Sequence, residues 1–493
     1  MAQLCRLPAH PSLEQLKNQA RDLQRSVQSG DSESRELFEA LHPRGAEALP
    51  VDGKPKLADA QLATARLYGF ASWPRMTEIV EEIVRWTRSP HRVEAADNER
   101  DEFLRLACLT YGGDDIERPL QAQAMLAANA DLAASGIHAA AAAGNVEVLE
   151  KLIAEDPGSV HATGGPFDWE PLLYVCYSRV DDGEKGSGQF RAAVALLEAG
   201  ADPNAGYLWN GLTSPFTALT GAFGEGEDRP NQPPHAQALG LATLLVARGA
   251  DPNDSQALYN RQWSRSDEHL ELLVASGLGK GDGGPWHARL GETHSTPQQM
   301  IEEELIKAAA AGRTNRVRLM LEAGADPNGK GDQHPAHRGR SAYELAVLNG
   351  NTEIAEMLAT AGAHAPELAP LEMFVSHCLR HERKALDAML VETPNLLAEA
   401  KRLHPGLVRH AAELGRQMSV QLLVALGFDV NHVERVTALH EAAWRGDMTM
   451  THRLIELGAD PTIEDEEHHS TPQGWALHSH HHEVADYLAS VGG

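Results

Sequence analysis

The pentapeptide Gly-Ala-Asp-Pro-Asn, at residues 200–204, follows an apolar, Ala- and Leu-rich run. Complete or looser copies recur at residues 249–253, 324–328, 362–365, 427–431 and 458–462. Glycine accepts a left-handed backbone, Asp and Asn hydrogen-bond to their own backbone, and proline cannot continue a helix. The pentapeptide therefore predicts a helix stop. A stop that recurs along one chain predicts an array of similar units.

Composition narrows the classes of fold and partner. Only 5% of the 493 residues are aromatic, which favours thin, closely packed helix pairs over a β-sandwich. The net charge is −27, from 70 acidic and 43 basic side chains. This charge repels phosphate backbones and anionic lipids, so we expect no nucleic-acid partner and no membrane partner.

The cellular compartment is predicted from cysteine usage and from the N-terminus. The four cysteines are scattered without metal-ligand spacing, which is typical of free thiols in a reducing cytosol. The N-terminus shows no signal-peptide pattern, and no stretch approaches about 18 consecutive apolar residues. We therefore expect a cytoplasmic protein.

Residues 1–97 predict a small helical bundle. Ser12 can cap the first helix, and Gln15 occupies the capping-box position. One face of this helix is apolar, with Leu13, Leu16, Ala20 and Leu23. We interpret the bundle as a cap over the exposed apolar end of the array. A separate ligand-binding role is the alternative.

The clearest repeat unit lies near the C-terminus. It reads Thr-Ala-Leu-His-Glu-Ala-Ala-Trp-Arg-Gly-Asp at residues 437–447 and Leu-Ile-Glu-Leu-Gly-Ala-Asp-Pro at 454–461. This unit resembles the ankyrin repeat. The resemblance implies that Thr437 and His440 tie neighbouring loops together and are not catalytic. It also implies an all-α fold: an ankyrin-repeat α-solenoid of about eleven units over residues 98–493, with helix–turn–helix pairs and β-hairpin loops, preceded by the helical bundle.

Other segments resemble bacterial proteins in particular. Residues 7–20 and 57–74 are similar to a segment that precedes ankyrin repeats in many bacterial proteins. Residues 172–179, 216–227 and 254–261 are similar to parts of a group of bacterial ankyrin-repeat proteins. The resemblance implies a bacterial origin and this fold, but no biochemical role.

The spacing of the stops shows where the array departs from regularity. Gly427 and Gly458 are 31 residues apart, close to the ankyrin period of about 33. Gly200 and Gly249 are 49 apart, and Gly249 and Gly324 are 75 apart. The array therefore carries insertions at roughly residues 164–290. In solenoids, insertions lie in loops on one face, which is often the binding face.

These insertions and the helices beside them hold the candidate ligand-binding residues. Four of the eight tryptophans fall in the insertions, and two adjoining helices carry Tyr and Arg where alanine is expected. We expect the rings to form contact platforms and the arginines to pair with an acidic group or a carbonyl. The alternative is that these side chains pack the insertions onto the solenoid. The candidates are Asp168, Trp169, Tyr177, Arg179, Tyr207, Trp209, Tyr259, Arg261 and Trp263.

Acid–base catalysis and metal binding are two further possibilities. Carboxylates across neighbouring loops could do acid–base work in a pocket under the 164–290 insertions, together with Tyr and Arg; they are Asp168, Glu170, Glu225, Glu227 and Asp228. In so acidic a chain such loops are expected by chance. A C-terminal histidine cluster could bind a transition metal, but the repeat pattern accounts for His481 at a Gly-His turn and His480 in place of its glycine.

The sequence thus favours recognition over catalysis. We expect the concave face and elongated loops to hold a protein segment or a small ligand. We assign no catalytic residue, no metal site and no cofactor, and we expect a monomer. An enzyme with a pocket under the insertions is the alternative.

Overall fold

The computed structural model describes residues 5, 7–8, 10–49, 55–180, 187–330, 337 and 339–492. The chain divides into two compact units, Met1–Met300 and Ile301–Gly493. The described residues are mostly helical, with one small three-stranded sheet in the first unit, which confirms the expected helical character. Among these residues, no helix combines the length and apolar character that crossing a bilayer requires.

The helices of the first unit are α1 (Leu13–Gln28), α2 (Ser32–Leu41), α3 (Leu57–Leu67), α4 (Trp73–Trp86), α5 (Glu99–Ala107), α6 (Glu117–Ala128), α7 (Ile137–Ala143), α8 (Val146–Glu155), α9 (Pro171–Tyr177), α10 (Ser187–Glu198), α11 (Ala218–Phe223), α12 (Ala238–Ala247), α13 (Ser255–Arg261), α14 (Glu268–Ala275) and α15 (Gly284–Leu290). Short 3-10 helices span Gly45–Ala48, Pro90–Arg92, Ala130–Ala134, Pro157–His161, Arg229–Asn231 and Gly291–Thr293. The strands are β1 (Thr87–Arg88), β2 (Gly206–Trp209) and β3 (Pro215–Thr217).

Helix α16 (Pro297–Ala310) begins in the first unit and ends in the second. The helices of the second unit are α17 (Thr314–Ala323), α18 (Ala342–Leu348), α19 (Thr352–Thr360), α20 (Pro370–Leu379), α21 (Arg383–Glu392), α22 (Leu396–Leu403), α23 (Leu407–Glu413), α24 (Gln417–Ala425), α25 (Ala438–Trp444), α26 (Met448–Glu456), α27 (Pro472–His478) and α28 (His482–Val491).

Both units stack helix pairs in sequence order. In the first unit α5, α7, α9, α11 and α13 pack one against the next, while α8, α10, α12 and α14 form a second row. The side chains of Ala139–Ala142 on α7 are fully buried, and their small size lets α7 lie close to α9. In the second unit α23, α25 and α27 pack in series beside α24, α26 and α28. This pairing is the arrangement that the alanine-rich sequence predicts.

The connections within the helix pairs differ between the units. In the second unit, connections of three residues join six helix pairs, which are α16–α17, α18–α19, α20–α21, α23–α24, α25–α26 and α27–α28. The middle residue of each connection has a left-handed backbone with φ between 56° and 71°. These residues are Gly312, Gly350, His381, Gly415, Gly446 and His480. His480 thus replaces a turn glycine, as the sequence predicts. In the first unit the connections are longer at 108–116 and 224–237.

The N-terminal helices pack against an insertion of the repeats. Strand β1 pairs in parallel with β2, and β2 pairs antiparallel with β3. The ring of Trp86 meets the ring of Trp286 edge-on at 5.5 Å, and the guanidinium of Arg289 lies 4.7 Å and 4.8 Å from their centroids. The boundary expected at residue 97 therefore lies inside the first compact unit.

The recurring pentapeptide links successive repeats through its asparagine. Asn431 Nδ2 donates to the carbonyl of Gly458 at 3.1 Å, and its Oδ1 accepts from the backbone N–H of Asp460 at 2.8 Å. Asn204 and Asn328 make the same pair of bonds to the next stop. Because both partners are backbone groups, the sequence of the receiving stop is free to vary. Each of these three stops thus ends a helix and also binds the next stop.

Candidate functional site

Three of the candidate aromatic residues lie inside the first unit. Trp169, Tyr177 and Tyr207 are 1%, 0% and 2% exposed. The ring of Trp169 lies 4.9 Å from each of the two tyrosine rings, centroid to centroid. The Tyr177 hydroxyl donates to the carbonyl of Thr217 at 3.0 Å, and burial raises the pKa of both tyrosines well above the usual value. For these residues the structure supports the packing interpretation, because their rings hold the insertions to one another.

Trp209 and Asp168 tie the insertions to residues near them. The half-buried ring of Trp209 stacks on His91 at 4.3 Å, and its Nε1 donates to the carbonyl of Thr110 at 2.8 Å. Asp168 is exposed and forms a 2.8 Å ion pair with Arg88. Both candidates therefore have a structural partner within the chain.

Arg179 donates hydrogen bonds to four backbone carbonyls. Its Nε donates to Pro233 at 2.6 Å and its Nη2 donates to Gly221 at 2.7 Å. Its Nη1 donates to the carbonyls of Cys176 and Ser178 at 3.0 Å and 2.8 Å. Burial lowers the pKa of the guanidinium. All four carbonyls belong to the chain itself, so the guanidinium is already paired within the fold.

The remaining candidates surround the loop 224–237. Arg261 forms a buried 2.9 Å ion pair with Glu225. The Tyr259 hydroxyl donates to Glu227 Oε1 at 2.6 Å, and burial, together with this carboxylate, raises the pKa of the phenol. Trp263 is 40% exposed and meets the Tyr259 ring edge-on at 5.4 Å. Tyr259 and Trp263 form the part of the candidate set that offers ring surface to a partner.

The five carboxylates considered for acid–base chemistry belong to different local arrangements. Asp168 pairs with Arg88, Glu225 pairs with Arg261, and Glu227 accepts from Tyr259. Asp228 accepts from the side chain of Asn231 at 3.1 Å and 3.2 Å. Burial raises the pKa of Glu170, beside His161. Each carboxylate therefore has a neighbour that accounts for its position in a loop.

An open cleft of about 610 Å³ lies beside this loop. The N-terminal part of α6 forms one wall, with Ile116 and Leu120 exposed by 41% and 55%. Pro233, Pro234 and Arg179 also line the cleft. The cleft has the volume of a ligand site, and much of its lining is apolar.

A much smaller cavity of about 20 Å³ lies between Thr217, Asp254 and His294. This volume has room for about one water molecule. His294 is 5% exposed, and its Nε2 lies 3.4 Å from the hydroxyl of Ser255. Burial, with a smaller contribution from His287, lowers the pKa of His294 to about 4. The imidazole is therefore neutral at pH 7.

Two buried aspartates were missed by sequence reasoning. Asp254 caps α13 and accepts from the N–H of Ala257 and from the hydroxyls of Thr217 and Thr220. Burial raises the pKa of Asp254. Asp114 accepts from Arg118 at 2.5 Å and from Gln232 at 3.1 Å. The Asp254-Ser255 step before an apolar run is an N-cap signal, whereas no local pattern indicates the link from Asp114 to Gln232.

The histidines near the C-terminus have varied surroundings. His478 is exposed and stacks on Trp444 at 5.9 Å, and His480 occupies the left-handed turn position. In the part of the chain that the structure describes, no group of three or more His, Cys, Asp or Glu side chains is arranged to hold a metal ion.

The geometry of one repeat agrees with a family comparison. The Thr437 hydroxyl lies 2.8 Å from His440 Nδ1, and His440 Nε2 lies 3.0 Å from the carbonyl of Ser470 in the next loop. Because a carbonyl only accepts, Nε2 donates to Ser470 and Nδ1 accepts from Thr437. This confirms the predicted tie between loops.

Residues 408–455, which contain that Thr–His pair, match the family model described as ankyrin repeats (many copies). The match supports an ankyrin-repeat protein. A search of curated proteins found no match. Ankyrin repeats generally mediate protein–protein interaction.

Proposed function

We propose that this chain is an ankyrin-repeat binding protein that recognises a segment of a partner protein. We also propose that repeats of this kind extend over residues 98–493 as a solenoid. The observation that carries the binding role is the open cleft of about 610 Å³ beside the loop 224–237. Bacterial origin, cytoplasmic location and a monomeric state stay predictions.

The lining of the cleft supports an apolar occupant. Leu120 and Ile116 expose large apolar side chains, and the two prolines in the lining are rigid. Arg179 already donates to four carbonyls of the chain. The occupant would therefore be held by apolar contact more than by ion pairing, which suits a short hydrophobic segment of a protein.

Trp263 and Tyr259 would add a second contact at the same loop. Arg229 in this loop donates to the carbonyl of Trp263 at 3.0 Å, and Glu227 accepts from Tyr259. Asn231, Pro233 and other residues of the loop line the cleft. A partner that fills the cleft could therefore extend along the loop to an exposed aromatic ring.

A pair of matched leucine variants tests the proposal. Leu120→Glu puts a charge in the cleft, whereas Leu239→Glu changes a leucine that is 39% exposed on α12. Proteins bound by the wild-type chain in its native cell extract would be cross-linked and identified by mass spectrometry. We expect a partner that Leu239→Glu retains and Leu120→Glu loses. Equal recovery with both variants would contradict a role for the cleft.

No observation in the described residues favours the enzymatic alternative. The cavity at His294 has room for about one water molecule, which is too small for a substrate. The candidate carboxylates have structural partners, as described above. Native mass spectrometry of the chain from its own cells would reveal a small ligand, if one occupied the cleft in place of a protein segment.

A further inference from the structure

One face of the second unit carries aromatic rings that are partly or fully exposed. Helices α23, α25 and α27 pack side by side. Trp444 on α25 meets Trp475 on α27 edge-on at 5.5 Å and stacks on His478 at 5.9 Å. Both tryptophans are half-buried and His478 is exposed. We call these three side chains the C-terminal aromatic face.

Carboxylates border this face on the side of α23. Arg409 lies 3.3 Å from Glu413, 3.3 Å from Glu434 and 3.2 Å from Glu441. Glu441 is on α25, one helical turn before Trp444. The positive charge of Arg445 also acts on Glu413 and Glu441, so two guanidinium groups face three carboxylates. The border therefore combines an aromatic surface with an excess of negative charge.

An acidic loop borders the face on the side of α27. Residues 464–467 read Glu-Asp-Glu-Glu, and Glu464, Glu466 and Glu467 are exposed. Asp465 is buried, and it accepts from Trp475 Nε1 at 2.9 Å and from three backbone N–H groups of its own loop. Asp465 thereby fixes the ring of Trp475 next to a loop in which Glu464 and Glu466 are exposed and Glu467 lies 3.8 Å from Arg435.

The charge of the surrounding repeats selects among possible occupants. Residues 407–492 contain thirteen acidic side chains and five basic ones. Such a surface attracts cations and repels anionic partners. Lysine and arginine side chains also bind favourably over the face of a tryptophan ring. Ring surface and charge therefore favour the same kind of partner.

We propose that the C-terminal aromatic face binds a cationic segment of a partner protein, with a lysine or arginine side chain over Trp444 and further basic groups near residues 464–467. This surface belongs to the second unit and does not depend on the cleft at Leu120. The cationic segment expected here differs from the apolar segment expected in that cleft. The chain would thus carry two recognition surfaces.

Fluorescence anisotropy with a labelled oligo-arginine peptide tests this proposal on the full chain. The ring variant is Trp444→Ala, and the charge variant is Glu466→Gln/Glu467→Gln. We expect the ring variant to weaken binding about threefold to tenfold. The charge variant should weaken it by about threefold at low salt. The exposed positions of Glu466 and Glu467 keep the charge variant folded, which circular dichroism would verify.

Matched controls separate this surface from the general negative charge of the chain. Trp73→Ala removes a half-buried tryptophan ring of the first unit, and Glu33→Gln/Glu36→Gln removes two exposed charges there. Both should leave the affinity for oligo-arginine unchanged, as should Leu239→Glu. The proposal is overturned if the controls weaken binding as much as the test variants do. It is also overturned if an oligo-glutamate peptide binds as tightly.

Discussion

The two units place their aromatic residues in opposite environments. In the first unit Trp169, Tyr177 and Tyr207 pack on one another with almost no exposed surface. In the second unit Trp444 and Trp475 lie half-buried on a helix face beside exposed carboxylates. The first set lies in or beside the long loops of the first unit, and the second lies on helices whose pairs are joined by three-residue turns.

This difference has a physical cause. A long insertion needs a hydrophobic core of its own, because its backbone gains little from the repeat stack. The rings of the first unit supply that core, and Arg179 binds the carbonyl of Pro233 in the loop 224–237. A three-residue turn needs no such core, so the neighbouring helices of the second unit can carry large rings on their exposed face. Aromatic residues in an insertion are therefore weak evidence for a binding site.

The largest expected effect contrasts one tryptophan from each unit. Trp169→Ala should lower the free energy of unfolding by about 3–5 kcal/mol, because it removes a fully buried ring at the centre of a cluster. Trp444→Ala should lower it by no more than about 2 kcal/mol, because part of that ring is already in water. Urea denaturation followed by circular dichroism measures both. Similar losses for the two variants would break the contrast between the units.

Histidine titration offers a second test of the buried interior of the first unit. The pKa of His294 is about 4 in the fold, against about 6.5 for an exposed histidine. Between these values the unfolded chain binds more protons than the folded chain. The contribution of His294 to stability is therefore complete above pH 6.5 and is lost as the pH falls towards 4. From pH 7 to pH 5 the loss should be about 2 kcal/mol.

The variant His294→Gln isolates this contribution. Its free energy of unfolding should fall by about 2 kcal/mol less between pH 7 and pH 5 than that of the wild type. Ser255→Ala is the control, since it removes the hydroxyl next to the ring but keeps the titrating group. The control should retain the wild-type pH dependence. An unchanged pH dependence in His294→Gln would show that the ring is accessible to water.

The sequence predicts what depends on local patterns. The helix stops, the capping Ser12, the Thr437–His440 tie and the left-handed His480 are all readable within a few residues. Whether an aromatic ring is buried or exposed depends on contacts with residues far away in the sequence. Tyr207 meets Trp169 across nearly forty residues, and no local pattern encodes that contact.

In the second unit, the sequence predicts the backbone but not the surface that the helices present. The spacing between Gly427 and Gly458 predicts a regular repeat there. The face formed by Trp444 and Trp475 depends on the packing of α25 beside α27, which the spacing does not reveal. Regular spacing fixes the backbone, but it leaves the exposed positions of each helix free to carry function.

The smallest effect concerns a feature that both units share, the asparagine of the recurring pentapeptide. Asn431→Ala should lower the free energy of unfolding by about 1 kcal/mol, because it removes two partly exposed hydrogen bonds to the next stop. Thr462 occupies the same position in the last copy, where its hydroxyl reaches only Asp460 of its own turn. Thr462→Ala should therefore change the stability by at most about 0.5 kcal/mol.

Thermal and urea unfolding of the two single variants and of the double variant would test this assignment. Asn431 and Thr462 both hydrogen-bond to Asp460, one to its backbone N–H and the other to its carboxylate, so the double variant would show whether the two losses add or are coupled. Asn431→Asp is the sharper variant, because a carboxylate can still accept from the N–H of Asp460 but cannot donate to the carbonyl of Gly458. The free energy of unfolding of Asn431→Asp should lie between those of the wild type and Asn431→Ala if each bond contributes. A wild-type stability for Asn431→Ala would mean that packing alone holds successive repeats together.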